Sequence, residues 1–90
     1  MPIDIELYPT SRGGGKTSWL LDQINQSVRL DDQNVALVVP AASHRINAPC
    51  DQYSERTLIH ARGYNYDHIF VDNADLFQDD PAVLCADIAP

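Results

Sequence analysis

The chain has 90 residues, six of them basic and thirteen acidic, for a net charge of −7. Sparse, scattered cations argue against generic nucleic-acid binding, which depends on Lys and Arg neutralising phosphates, and no stretch approaches the ~20 apolar residues of a membrane span. At 44% apolar and 21% charged, the sequence has the composition of one small globular domain, residues 1–90, and not of a disordered segment.

Ile3 to Tyr8 reads as a first strand, with Pro9-Thr10 leaving the sheet. The tract Ser11-Arg12-Gly13-Gly14-Gly15-Lys16-Thr17 follows and opens an amphipathic segment. Strand, glycine-rich turn, Lys-Thr and helix in that order build a phosphate-binding loop. Glycines let successive backbone N–H groups point into one cavity, and the helix start adds unpaired N–H groups and a positive dipole end. Lys16 is placed to reach the β- and γ-phosphates, and the Thr17 hydroxyl to take one position on Mg²⁺. Thr10 stands where the usual G-x-x-x-x-G-K-[ST] pattern has its first glycine, so the match is partial.

The helix is expected from Lys16 to Ser27 or Leu30, with Leu20, Ile24 and Val28 at four-residue steps and Trp19 and Leu21 widening the apolar face. Packing on the sheet is the expected role of that stripe, with base stacking by Trp19 as the alternative. Asp31 to Asn34 forms a polar turn before a second strand, Val35–Val39, which Pro40 stops. The strand–helix–strand succession requires a parallel crossover. Ala41 to Arg45 suits a short helix, Tyr53 to Arg62 a longer one with Leu58 and Ile59 inward, and Gly63 its end. Asp79-Asp80-Pro81 suits the start of a last helix carrying Val83, Leu84 and Ile88.

Tyr66 to Asp72 is a third apolar strand ending in a carboxylate. An acid at the carboxyl end of a parallel strand lies where open α/β sheets bind ligands, and beside a phosphate loop Asp72 becomes the second holder of Mg²⁺. Asn73-Ala74-Asp75 follows, where many phosphate-loop ATPases place a catalytic Glu. Asparagine accepts no proton at neutral pH, although it can orient a water. Asp75 is a substitute if the chain turns helical there; the alternative is that Asn73 and Asp75 cap that turn.

A chain this short buries roughly 60–65% of its unfolded surface and has room for three or four strands, whose open edges invite an oligomer or partner chain. Cys50 and Cys85 lack metal-site or CxxC spacing and are expected as free thiols. His44, His60 and His68 are too dispersed for zinc, and His68 is expected to be structural. With no basic-then-apolar leader, the expected location is soluble and intracellular.

Ser11-Arg12-x-x-Gly15-Lys16-Thr17 resembles the phosphate loop of the large terminase ATPases of tailed phages, in which an Arg precedes the glycines. Closer still, Arg12 to Thr17 together with Val71-Asp72-Asn73-Ala74-Asp75-Leu76 is similar to the paired motifs of a group of small phage and prophage P-loop proteins of about this size. That resemblance implies a minimal P-loop NTPase-like, three-layer α/β fold with a short, mostly parallel sheet of three to four strands. It also implies a chain complete at this length, and the cytoplasm of an infected bacterial host as its location. A terminase's nuclease domain and coupling motif have no counterpart, so packaging activity is not implied.

The expected function is binding of ATP or GTP with Mg²⁺ through Ser11, Arg12, Gly13, Gly14, Gly15, Lys16 and Thr17, the metal held by Thr17 and Asp72. Hydrolysis is expected to be weak or to depend on a second copy or a host or phage partner, with Asn73, Asp75 and Arg12 as the catalytic candidates. The alternative is a non-enzymatic module docking on a host or phage protein, with a degenerate loop or an acidic, DNA-mimicking surface. A kinase ranks last, because the chain leaves little room for a lid and an acceptor pocket.

Overall fold

The computed structural model describes residues 3–9 and 16–88, with the backbone alone at Lys16 and Thr17. Strands β1 (Asp4–Leu7), β2 (Val35–Val39), β3 (Asp51–Ser54) and β4 (His68–Val71) form one sheet in the order β1-β4-β2-β3, parallel at every junction. Helices α1 (Lys16–Arg29) and α2 (Pro81–Ile88) cover it, with 3₁₀ turns at Ala42–His44, Leu58–Ala61 and Ala74–Leu76. The fold is α/β, and its sheet is wholly parallel. No described helix is long and apolar enough to cross a membrane.

The central strands β2 and β4 are buried at every position, as their unbroken apolar runs require between two covering layers. Side-chain alternation divides them. Val35, Leu37, Val39 and Phe70 meet Leu20 and Ile24 of α1, with Ile46, Ala48 and Cys50 packed alongside. On the other face Ala36, Val38, Ile69 and Val71 meet Leu58, Ala61, Cys85 and Ile88. Two apolar cores thus sandwich a single sheet.

Helix α1 buries Leu20 and Ile24 completely, one turn apart on its inward face. Arg29 in its last turn complements the negative dipole end, and the helix closes where the Leu30 and Asp31 N–H groups both donate to the Gln26 carbonyl. Asp32, at a φ of 51°, then turns the chain toward β2. Trp19 departs from the expected inward stripe, being 50% exposed. Helix α2 begins as Asp79-Asp80-Pro81 suggested: Asp80 Oδ1 accepts the Ala82 N–H at 3.0 Å, and Pro81 fills the first helical position.

The helix expected over Tyr53 to Arg62 is not formed. Asp51–Ser54 instead extends the sheet, pairing Ala36 with Asp51 through Val39 with Ser54. A turn follows, in which Thr57 Oγ1 accepts the Ser54 N–H at 2.8 Å and the Ser54 carbonyl accepts the Thr57 N–H at 3.1 Å. Only Leu58–Ala61 is helical, as one 3₁₀ turn that buries Leu58 and leaves Ile59 64% exposed. Pairing with β2 outweighs the local helical pattern.

Because α1 packs on one face and α2 on the other, the connections leaving the adjacent strands β1 and β4 run to opposite sides of the sheet. Open α/β sheets bind ligands at the carboxyl ends of strands whose connections diverge in this way.

Candidate functional site

Residues Ser11, Arg12, Gly13, Gly14 and Gly15 lie outside the described residues, as do the side chains of Lys16 and Thr17. The frame that carries them is described on both sides. Strand β1 ends at Leu7, and α1 starts at Lys16, so the glycine tract spans from a strand end to a helix start.

Asp72 follows the last residue of β4 and is 5% exposed. Its backbone N–H donates to the Val38 carbonyl at 2.9 Å, continuing the ladder to β2, and its Oδ1 accepts the Asn73 N–H at 3.0 Å. On the other flank the Val71 carbonyl accepts the Tyr8 N–H, and the Tyr8 carbonyl accepts the Ala74 N–H, both at 2.9 Å. Tyr8, which follows β1, is therefore laced to the acidic turn.

Asn73 adopts the left-handed conformation, φ 53° and ψ 47°, which an asparagine accepts more readily than most residues. It stands at the cap position of the Ala74–Leu76 turn, but its side chain makes no capping hydrogen bond there. Asp75 is exposed in the first turn. Asp72 and Asn73 thus stand at the carboxyl end of β4, with Asp75 on the turn just beyond.

Among the described residues no three His, Cys, Asp or Glu side chains gather as a metal cluster. A Mg²⁺ site of the expected kind needs none: this ion keeps several waters and takes one or two protein oxygens besides the phosphates. Asp72 supplies a hard, largely buried oxygen donor of the required type.

An aromatic series missed by motif reading flanks the site. Tyr8 meets Trp19 edge-on, with ring centroids 5.2 Å apart, and stacks at 6.1 Å on Phe70, which in turn stacks at 4.1 Å on His68. The Tyr8 hydroxyl donates to Glu6 Oε2, and burial together with that carboxylate drives its pKa well above the ordinary phenol range. His68 Nε2 lies 3.3 Å from Glu6 Oε1 without hydrogen-bond alignment, and the buried ring packs as a structural element. The only local signal for this series was the alternation placing Glu6 and Tyr8 on one side of β1; the contact with Trp19 arises from tertiary packing.

A hollow of about 720 Å³ opens on the same rim, lined by Pro40, Ala41, Ser54, Arg56, Gln78 and Asp79. Glu55 also lines it and accepts the Gln78 and Asp79 N–H groups at 3.0 and 3.1 Å. A smaller hollow of about 500 Å³ lies by Cys50, Asp51 and Tyr64, at the opposite end of β3 and away from Asp72. No family model matches the chain, and comparison with curated proteins and with solved structures finds none similar to it.

Proposed function

We propose that the chain binds a nucleoside triphosphate with Mg²⁺, in the manner of the small phage P-loop proteins whose motifs it resembles. Ser11 to Thr17 would hold the phosphates, and the Thr17 hydroxyl and Asp72 the metal. The observation that supports this reading is the lacing of Tyr8, shortly before the glycine tract in sequence, to Val71 and Ala74 on either side of Asp72. A glycine-rich Lys-Thr tract and a strand-end acid are each weak signals; their succession after the adjacent parallel strands β1 and β4 supports a shared ligand.

Bound Mg²⁺ would neutralise phosphate charge. The chain's own residues supply position: β1 and α1 bracket the loop, and β4 carries the acid. Asn73 has no basicity to contribute and can at most orient a water, so binding is favoured over rapid turnover. Arg12 in cis, or a group from a second copy or partner, would complete hydrolysis, a device worth roughly 10³–10⁵ in rate where it operates.

Calorimetric titration with Mg²⁺–ATP and Mg²⁺–GTP tests the reading, with Lys16→Ala alongside. Saturable binding by the wild type and its loss in the variant are expected. Absence of binding by the wild type would overturn the proposal and leave the docking-module alternative, which the two open sheet edges favour.

A further inference from the structure

We infer that the face formed by α2 and the Leu58–Ala61 turn pairs with the same face of a second copy across a two-fold axis. This surface lies on the outer side of the fold and is independent of the phosphate-site reading. Helix α2, Pro-Ala-Val-Leu-Cys-Ala-Asp-Ile, has Asp87 as its single charged residue. Its inner side is filled by Cys85 and Ile88, packed against Leu58 and Ala61. Its outer side presents Val83, which is 56% exposed. In soluble folds a helix that is apolar on all sides is a buried one.

Beside α2 lies a hollow of about 200 Å³, walled by Leu58 and Ile59 of the turn and by Leu84 and Ile88 of the helix. Ile59 stands out from the fold, and Arg62, three residues on, shares its side because residues at that spacing eclipse in a 3₁₀ turn. Glu55, Arg62 and Asp87 are the charged groups of the lining. Glu55 is occupied by the Gln78 and Asp79 N–H groups, which leaves one cation and one anion. Among the described residues the one close ion-pair geometry is that of His68 with Glu6; Arg62 and Asp87 face the hollow without pairing to each other. Asp87 also stands in the last turn of α2, toward the negative end of the helix dipole, and that turn has no basic residue. A cation brought from outside relieves this placement. In a two-fold pairing every contact occurs twice, residue i meeting j and j meeting i. Arg62 of either copy then reaches Asp87 of the other, while Ile59, Val83 and Leu84 close between them. The surface carries both halves of its own complement, which selects a second copy over a partner of one charge sign.

Sedimentation velocity of the full chain over a concentration series tests the pairing. About 0.15 M salt is used, so that the net charge of −7 on each copy is screened beyond roughly 8 Å. The wild type is expected to pass from monomer to dimer as concentration rises. Arg62→Asp and Asp87→Arg, each alone, set like charges opposite one another at both contacts and should weaken dimerisation by about tenfold or more. Mixed in equal amounts, the two variants meet as opposite charges at both contacts and should form a heterodimer near wild-type affinity. Val83→Lys, at an exposed site, should also favour the monomer, with far-UV circular dichroism unchanged. Circular dichroism of the charge variants confirms that each is folded before mixing. A wild type that stays monomeric up to about 1 mM would overturn the pairing. So would a dimer indifferent to either charge reversal, or folded variants that fail to recover on mixing.

Discussion

The Ala74 N–H donates to the Tyr8 carbonyl at 2.9 Å, fastening the turn after β4 to the residue that follows β1. With Tyr8 also donating to the Val71 carbonyl, the chain leaving β1 is held against the backbone on both sides of Asp72. Tyr8 after β1 and the acid after β4 are parts of one hydrogen-bonded corner.

Asp72 has two separable roles in this corner. Its Oδ1 accepts the Asn73 N–H, and its charge is the feature proposed to hold Mg²⁺. Asp72→Asn retains an acceptor oxygen and loses the charge, so it should abolish the Mg²⁺ dependence of nucleotide binding while lowering Tm only slightly. Asp72→Ala removes both and should cost about 1–3 kcal/mol more in stability, read as a further fall in Tm of roughly 4–8 °C per kcal/mol. Calorimetry with and without Mg²⁺, beside thermal melts, checks both effects.

At Asn73 the backbone sets the terms. Its left-handed conformation favours Gly or Asn, so Asn73→Gly should be close to neutral, whereas Asn73→Ala should cost roughly 1–2 kcal/mol. Asn73→Glu, the substitution that would install a general base, carries the same strain. Turnover by that variant should therefore be compared with Asn73→Gln, which bears similar backbone strain without the base. Urea denaturation measures the strain.

Two leucines, Leu20 inside α1 and Leu30 just past its end, should respond unequally to truncation. Leu20→Ala removes a fully buried side chain and should destabilise by about 2–5 kcal/mol, while Leu30→Ala, at a site 75% exposed, should stay within about 0.5 kcal/mol of the wild type. Chemical denaturation midpoints at constant slope are the readout.

Alkali should weaken the fold through its thiols. Burial pushes Cys50 and Cys85 up to about 11 from 9.0, with neighbouring Asp51 adding to the effect at Cys50. The folded chain then retains protons that the unfolded chain releases, so this stabilisation is complete below pH 9.0 and is lost as pH rises toward about 11. Tyr8 and Tyr66, both raised chiefly by burial, add to the loss above the ordinary phenol range. A Cys50→Ala/Cys85→Ala variant should show a flatter stability profile at the onset of that window, measured by urea midpoints at stepped pH.

How much of this was legible follows from where each signal resides. The apolar runs Val35–Val39 and Ile69–Val71, the Leu20–Ile24 spacing and the Asp80-Pro81 start are local patterns, and β2, β4, α1 and α2 formed where those patterns lay. Strand β3 was illegible because Asp-Gln-Tyr-Ser has no alternation to betray it; β2 supplies its pairing partner, and sheet pairing is a long-range contact. The place of Asp72 was readable from its strand. The contact between the rings of Tyr8 and Trp19 was not, because no spacing rule connects two residues whose contact depends on how β1 and α1 pack.

The order of the strands has a colloidal consequence. Both margins of the sheet, β1 and β3, are four-residue strands bearing acids, Asp4 and Glu6 on one and Asp51 on the other. Short length and like charge discourage the margins of two copies from zipping together. That protection is electrostatic as well as geometric, so it weakens as salt rises or as acid neutralises the carboxylates. Self-association is thereby tied to ionic conditions, with low salt near neutral pH the setting in which copies are held furthest apart.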